Sequence, residues 1–262
     1  MGARVRLPVA PLGDLLTPLV VSLGATLFFV GGFRQVRRGR HARQAGWSRA
    51  ALFAAGVVAG LAGLVLFHGP AAEAASAHMA QHVLVGDVAP ALVLVALRGP
   101  LFYAVVPLVV RRQLGRRGVR ALSRPVPALA VWAALLWGWH VPRVYDAALA
   151  SEWLHPLQHA SFALGGLLLW SQLVDPARRR RLSLPGSLGV ALVAMVVSQM
   201  LVALLVLSYR PLYAYGSVSD QGLAGLIMAL EQLATLGTFA FVRLRAHFRE
   251  PVLVSERHPL GA

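Results

Sequence analysis

The chain alternates long apolar blocks with short segments rich in arginine. Continuous runs of apolar and small residues occupy about residues 15–33, 50–67, 79–97, 126–141, 155–174, 187–207 and 221–242. A helix needs ~20 such residues to cross the hydrocarbon core of a bilayer. The runs are continuous rather than alternating and hold much Ala, Leu and Gly, which disfavours strands. The pattern therefore predicts an all-α polytopic membrane bundle of seven transmembrane helices, with 126–141 the shortest. It forms one domain over residues 1–262, ending in a tail over 243–262. Residues 100–110 are too few to cross and lead into Arg111, Arg112, Arg116 and Arg117, so an interfacial helix is expected there. Arg4 and Arg6 precede the first run as in a signal peptide. No small-x-small cleavage site follows, so an uncleaved span is expected.

Composition agrees with this class: 57% of the residues are apolar, 13% are charged, and mean hydropathy is +0.65. Charge adds an orientation. All 25 Lys-plus-Arg residues are arginine, and 21 of them fall in 34–49, 98–124, 178–181 and 243–257. In a seven-span bundle those segments share one side. The other side holds Arg4, Arg6, Arg143 and Arg210. Positive charge resists translocation, so the N-terminus is expected outside and the C-terminus in the cytoplasm. A net charge of +15 also raises the possibility of nucleic acid as a partner. Short juxtamembrane loops and anionic head groups already account for the arginines, so a lipid bilayer is expected and nucleic acid is not.

Against this topology the histidines stand out. Six of nine, His68, His78, His82, His140, His155 and His159, fall at the ends of spans on the outer side. His78 and His82 are four apart, as are His155 and His159, so each pair shares a helix face. A single imidazole at an interface often caps a helix or holds a carbonyl. Two such pairs at matched depth point instead to a metal or haem site. His41, His247 and His258 lie on the arginine-rich side and are expected to stay outside it.

The chain has no cysteine, which excludes disulfides and thiolate ligands. Any metal must use nitrogen, oxygen or thioether. Met79, Met200 and Met228 are the thioethers near the outer halves of spans, and imidazole with thioether suits copper, above all Cu(I). Asp87 and Glu231 lie near mid-membrane, where a carboxylate must be protonated, paired or beside a polar cavity. Gln221, Met228 and Glu231 fall within roughly 80° on a helical wheel, so the last span has a polar stripe. Asp87 falls opposite His78 on its own span and is expected outside the histidine site. Pro90 frees the Gly86 carbonyl and is expected to kink that span. Trp137, Trp139, Tyr145, Trp153, Tyr209, Tyr213 and Tyr215 read as an interfacial aromatic belt.

Several longer motifs share one pattern. They are His78-Met79-Ala80-Gln81-His82 with Ala89-Pro90, and Trp137-Gly138-Trp139-His140-Val141-Pro142 with Tyr145-Asp146-Ala147-Ala148-Leu149. Leu154-His155-Pro156-Leu157-Gln158-His159-Ala160-Ser161-Phe162 follows, and then Asp220-Gln221 with Gly225-Leu226-Ile227-Met228. Together they resemble the polytopic CtaG family of cytochrome c oxidase assembly factors over about residues 15–242. This family is distinct from the single-span copper chaperone that has shared the name. The resemblance implies assembly of haem-copper oxidases and copper handling on the outer face of the bacterial plasma membrane. It implies His78, His82, His155 and His159 as ligands, His140 completing or tuning the site, and Met228 as a transfer ligand. Asp220 and Gln221 match more weakly.

The resulting expectation is a non-enzymatic assembly factor that binds copper and partners the subunits of a haem-copper oxidase. No nucleophile elbow or phosphate loop is present in the sequence. Two other classes fit the same residues. One is a copper or small-solute transporter, with Asp87, Glu231 and the Pro90 kink lining a path. The other is a haem-binding redox protein ligated by two histidines from facing helices.

Overall fold

In the computed structural model, which describes residues 12–67, 71, 74–179, 182–214 and 216–256, every regular element among those residues is helical. Helix α1 spans Leu12–Arg38, and α2 spans Trp47–Leu61 and runs on through a π-turn at Ala62–Leu66. Helix α3 covers Ala75–Leu97 and is interrupted by a π-turn at Leu84–Val88. The short helices α4 (Pro100–Val105), α5 (Leu108–Leu114) and α6 (Arg117–Leu122) lead to α7 (Pro125–His140) and α8 (Pro142–Ala150). Helices α9 (Leu154–Val174), α10 (Leu184–Leu207) and α11 (Val218–Glu256) complete the chain.

Five stretches are long and apolar enough to cross a membrane: Leu16–Arg38, Ala42–Leu66, Ala75–Leu97, Leu184–Leu207 and Val218–Arg249. Their outward faces carry exposed Val20, Val21, Leu192, Val196, Leu226 and Leu230, as expected for surfaces that meet lipid. The other two predicted spans are α7 and α9. Helix α7 has only 16 residues, and the 21 residues of α9 include His155, Gln158, His159, Ser161 and Gln172. These two shorter or more polar helices carry three of the clustered histidines.

Local chemistry sets the shape of α3. Pro90 has no N–H for the Gly86 carbonyl, and the helix answers with a widened turn immediately before it rather than an open break. The Gly86 carbonyl lies directly against Gly166 of α9, where an added Cβ would overlap it. Backbone thus meets backbone at this crossing, a contact that only a residue without a side chain permits. At the other end of α3, the Arg49 guanidinium donates to the carbonyls of Ala96 at 3.1 Å and Arg98 at 2.6 Å. It satisfies acceptors that the helix end leaves open. Arg49→Gln is expected to cost about 1 kcal/mol, read from thermal unfolding in detergent.

Two expectations change. The predicted interfacial helix at 100–110 is divided at Pro107, which forces Val106 to an extended conformation (φ −79°, ψ 120°). Leu101, Phe102 and Val105 of α4 are buried, with Val105 against Gly32 of α1, whereas Leu108, Val109 and Val110 of α5 stand exposed. Only α5 retains the apolar outer face expected of an interfacial segment. The last span also does not stop at residue 242. No glycine or proline interrupts residues 238–250, and α11 continues to Glu256. Arg243 anchors this extension by donating to Ser187 Oγ and the Leu182 carbonyl, both at 3.2 Å.

The buried apolar side chains form two clusters. Phe29, Phe33, Phe53, Leu97 and Leu101 tie α1, α2 and α4 to the end of α3, with the Phe29 and Phe53 rings stacked at 4.0 Å. The larger cluster joins α3 to α7–α11 and includes Met79, Trp132, Phe162, Trp170, Leu201 and Met228. The histidines sit at one end of this second cluster.

Candidate metal centre

Helix α3 begins without a cap from its own flanking residue, since Ala74 offers no side-chain acceptor. The cap comes from α11. The Asp220 carboxylate accepts from the backbone N–H of Ala75 at 2.6 Å and of Ser76 at 3.3 Å, and from the Ser76 hydroxyl. Asp220 therefore fixes the turn that carries His78, although it lies far away in sequence. Asp220→Ala is expected to cost about 1–2 kcal/mol, with Asp220→Asn recovering part of it in thermal unfolding.

Five imidazoles meet in this region. His78 and His82 come from the first two turns of α3, His140 from the last turn of α7, and His155 and His159 from the start of α9. His78 is 0% exposed; His82, His140 and His159 are buried, and His155 is half-buried at the rim. His78, His155 and His159 can each offer a ring nitrogen such that the three lie within 4.8 Å of one another. Ring centroids are 5.4 Å apart for His78 and His155, 4.4 Å for His155 and His159, and 5.5 Å for His82 and His159. The Nε2 atoms of His78 and His82 are 2.7 Å apart, so one of them carries the shared proton.

His140 has a defined tautomer. Its Nδ1 lies 2.7 Å from the Leu136 carbonyl, which can only accept, so Nδ1 bears the hydrogen and Nε2 keeps its lone pair in the neutral ring. A backbone carbonyl that orients one imidazole nitrogen and frees the other is the usual second partner of a metal-ligating histidine. The helix ends where it does because Pro142 opens α8 and holds Val141 extended.

An aromatic roof covers the cluster. Tyr145 of α8 lies 5.2 Å from the His78 ring and stacks on Tyr213 at 4.0 Å, and both tyrosines are buried. The Tyr213 hydroxyl donates to the His140 carbonyl at 3.4 Å. Burial, and secondarily the Asp146 charge, holds its pKa above the ordinary tyrosine value, so it remains a neutral donor. Asp146 accepts from Ala214 N–H at 3.1 Å, and Gln221 bridges Leu212 N–H at 2.8 Å and the Leu205 carbonyl at 3.0 Å. These bonds pin residues 208–214 over the site. The expected aromatic belt is thus corrected for Tyr145 and Tyr213, which face inward. Trp153 (85% exposed) and Tyr209 (98% exposed) stand at the surface, Trp139 donates to Ser161 Oγ at 2.6 Å, and Tyr215 lies outside the described residues.

Below the cluster lies a cavity of about 50 Å³, enough for a few water molecules or an ion. His82, His140, Met79 and Met228 line it, and Asp87 and Glu231 form its deeper wall. Asp87 accepts a hydrogen bond from Trp170 Nε1–H and pairs with Glu231. Asp87 is not among the groups around His78; it lines the cavity beside His82, with the π-turn at Leu84–Val88 changing the helical register between them. Met228 lines the cavity, while Met200 is 60% exposed and does not. His68 lies outside the described residues. Gln81 and Gln158, both fully buried beside the histidines, were not singled out from the sequence. Their place on the turns between paired histidines was the available signal.

The ensemble offers imidazole nitrogen and thioether sulfur in a buried setting. That donor set suits a soft or borderline transition-metal ion. A family model described as cytochrome c oxidase caa3 assembly factor (Caa3_CtaG) matches residues 26–250, which include all five clustered histidines. The chain matches no curated protein and no solved structure.

Proposed function

Because the chain belongs to the caa3 cytochrome c oxidase assembly factor family, we propose that it holds copper as cargo at the histidine cluster and delivers it to the oxidase. The observation that carries this reading is the convergence of ring nitrogens of His78, His155 and His159 within 4.8 Å, with His82 and His140 packed beside them. A half-buried His155 at the rim gives an incoming ion a first ligand, and the buried imidazoles behind it give a better-ligated resting place. The cluster faces the outer side of the bacterial plasma membrane in a seven-span arrangement, with α7 and α9 crossing beside the five longer helices and 21 of the 25 arginines in the cytoplasm. The partners are the haem-copper oxidase subunits, and the protein performs no reaction of its own.

The geometry favours copper over haem. The cavity beside the cluster, about 50 Å³, is far too small for a porphyrin. The test is made in membranes whose oxidase depends on this protein. His78→Ala/His82→Ala is expected to leave oxidase that contains haem but lacks most of its copper. Normal oxidase copper in that variant would defeat the proposal. A histidine-dependent Soret band in the purified protein would move the reading to haem. Copper flux into vesicles that is lost in Glu231→Ala but kept in the histidine variants would move it to transport.

A further inference from the structure

Two separate sets of metal donors are present around the histidine cluster. The first is the rim triad, His78, His155 and His159. The second lies beside the cavity and involves different residues. His82 and His140 are each 5% exposed, and His82 Nδ1 and His140 Nε2 are buried without a hydrogen-bond partner. Both residues line the cavity beneath the cluster, and their ring centroids are 6.2 Å apart. A desolvated ring nitrogen with no partner is costly, and native proteins rarely leave two of them in residues that line one cavity. The Leu136 carbonyl fixes the His140 tautomer so that its orphan nitrogen is a lone pair, a donor to a cation rather than to an anion.

The same cavity is lined by the thioethers of Met79 from α3 and Met228 from α11, both almost wholly buried. Further acceptors surround it. Glu231 Oε1 and Gln232 Oε1 line the cavity as residues and are likewise buried without a hydrogen-bond partner. Orphan acceptors on several helices, with two thioethers, describe the surroundings of a cation, and the sulfur and imidazole content selects a soft one.

We propose that His82, His140, Met79 and Met228 form a second, inner copper subsite, distinct from the rim triad and loaded through it, that takes Cu(I). This rests on the copper reading above and adds to it a relay: a nitrogen-only rim site that receives the ion and a mixed nitrogen–sulfur site that stores it away from solvent. Asp87 and Glu231 also line this cavity.

The experiment is anaerobic loading of the purified full-length protein with Cu(I), followed by copper quantification and X-ray absorption at the copper edge. Wild type is expected to hold about two copper ions per chain, with both Cu–N and Cu–S scattering. Met79→Leu/Met228→Leu is expected to lose the Cu–S scattering and about half the copper while keeping Cu–N. The single variants Met79→Leu and Met228→Leu, each expected to reduce the sulfur amplitude, decide the matter if the double variant does not fold. Absence of Cu–S scattering in wild type, or its persistence in the methionine variants, overturns the inner subsite. His155→Ala/His159→Ala separates the two readings. Full copper retention there, with sulfur scattering still lost in the methionine variants, defeats the rim triad alone.

Discussion

Gly166→Leu is expected to prevent accumulation of folded protein. At Gly166 even a Cβ would overlap the Gly86 carbonyl and meet Pro90 Cγ at 3.1 Å, so the side chain has nowhere to go without parting α9 from α3. Overpacking a core costs about 1–3 kcal/mol where neighbours can adjust. Here the obstacle is backbone, held in place by the π-turn and Pro90, so the cost should exceed about 3 kcal/mol. Gly166→Ala should be clearly destabilised as well. Gly189 of α10 is the internal control, since an added Cβ there meets nothing within 4 Å. Gly189→Ala should be neutral or stabilise by up to about 1 kcal/mol, because alanine is the better helix former. Both are read from the yield of monodisperse protein and its thermal unfolding. Equal behaviour of Gly166→Ala and Gly189→Ala would show that the α3–α9 crossing is looser than described.

The second large effect is stabilisation by the cargo. The histidines come from three separate helices, α3, α7 and α9, so an ion bound among them links segments distant in the chain. A ligand that binds only the folded state at about a thousand times its dissociation constant stabilises by about 4 kcal/mol. Cu(I) should therefore raise the unfolding temperature of wild type by several degrees and leave His78→Ala/His155→Ala/His159→Ala much less changed. Mg²⁺, a hard ion with little affinity for imidazole, should have no effect on either. An equal shift by Mg²⁺ would point to non-specific ionic stabilisation.

Much of this site was legible in the sequence, for a definable reason. Hydropathy gives the depth of each residue, and His78, His82, His140, His155 and His159 lie at one depth. The i,i+4 spacing gave two shared faces. Which faces meet was not legible, because that depends on contacts such as Gly86 against Gly166, which carry no periodic signal. A wheel that assumes a regular α-helix set Asp87 apart from His78 but gave no sign that it shares a cavity with His82. One widened turn was enough to bring it to the cavity wall below His82. Tyr145 and Tyr213 were read as interfacial because tyrosine near a helix end usually is. Their burial depends on Asp146 and Gln221 folding the 208–214 segment inward, a long-range arrangement. Asp220 was noticed through resemblance, and the structure gives it a physical role as the cap of α3.

The central claim is that the clustered histidines bind copper. Its most direct test is metal analysis of purified wild type beside His78→Ala/His155→Ala/His159→Ala, after anaerobic equilibration with Cu(I) and removal of unbound metal. Wild type is expected to retain at least one copper ion per chain, with the variant losing the equivalent held by the rim triad. Equal copper in the two proteins, or none in wild type, would contradict the account.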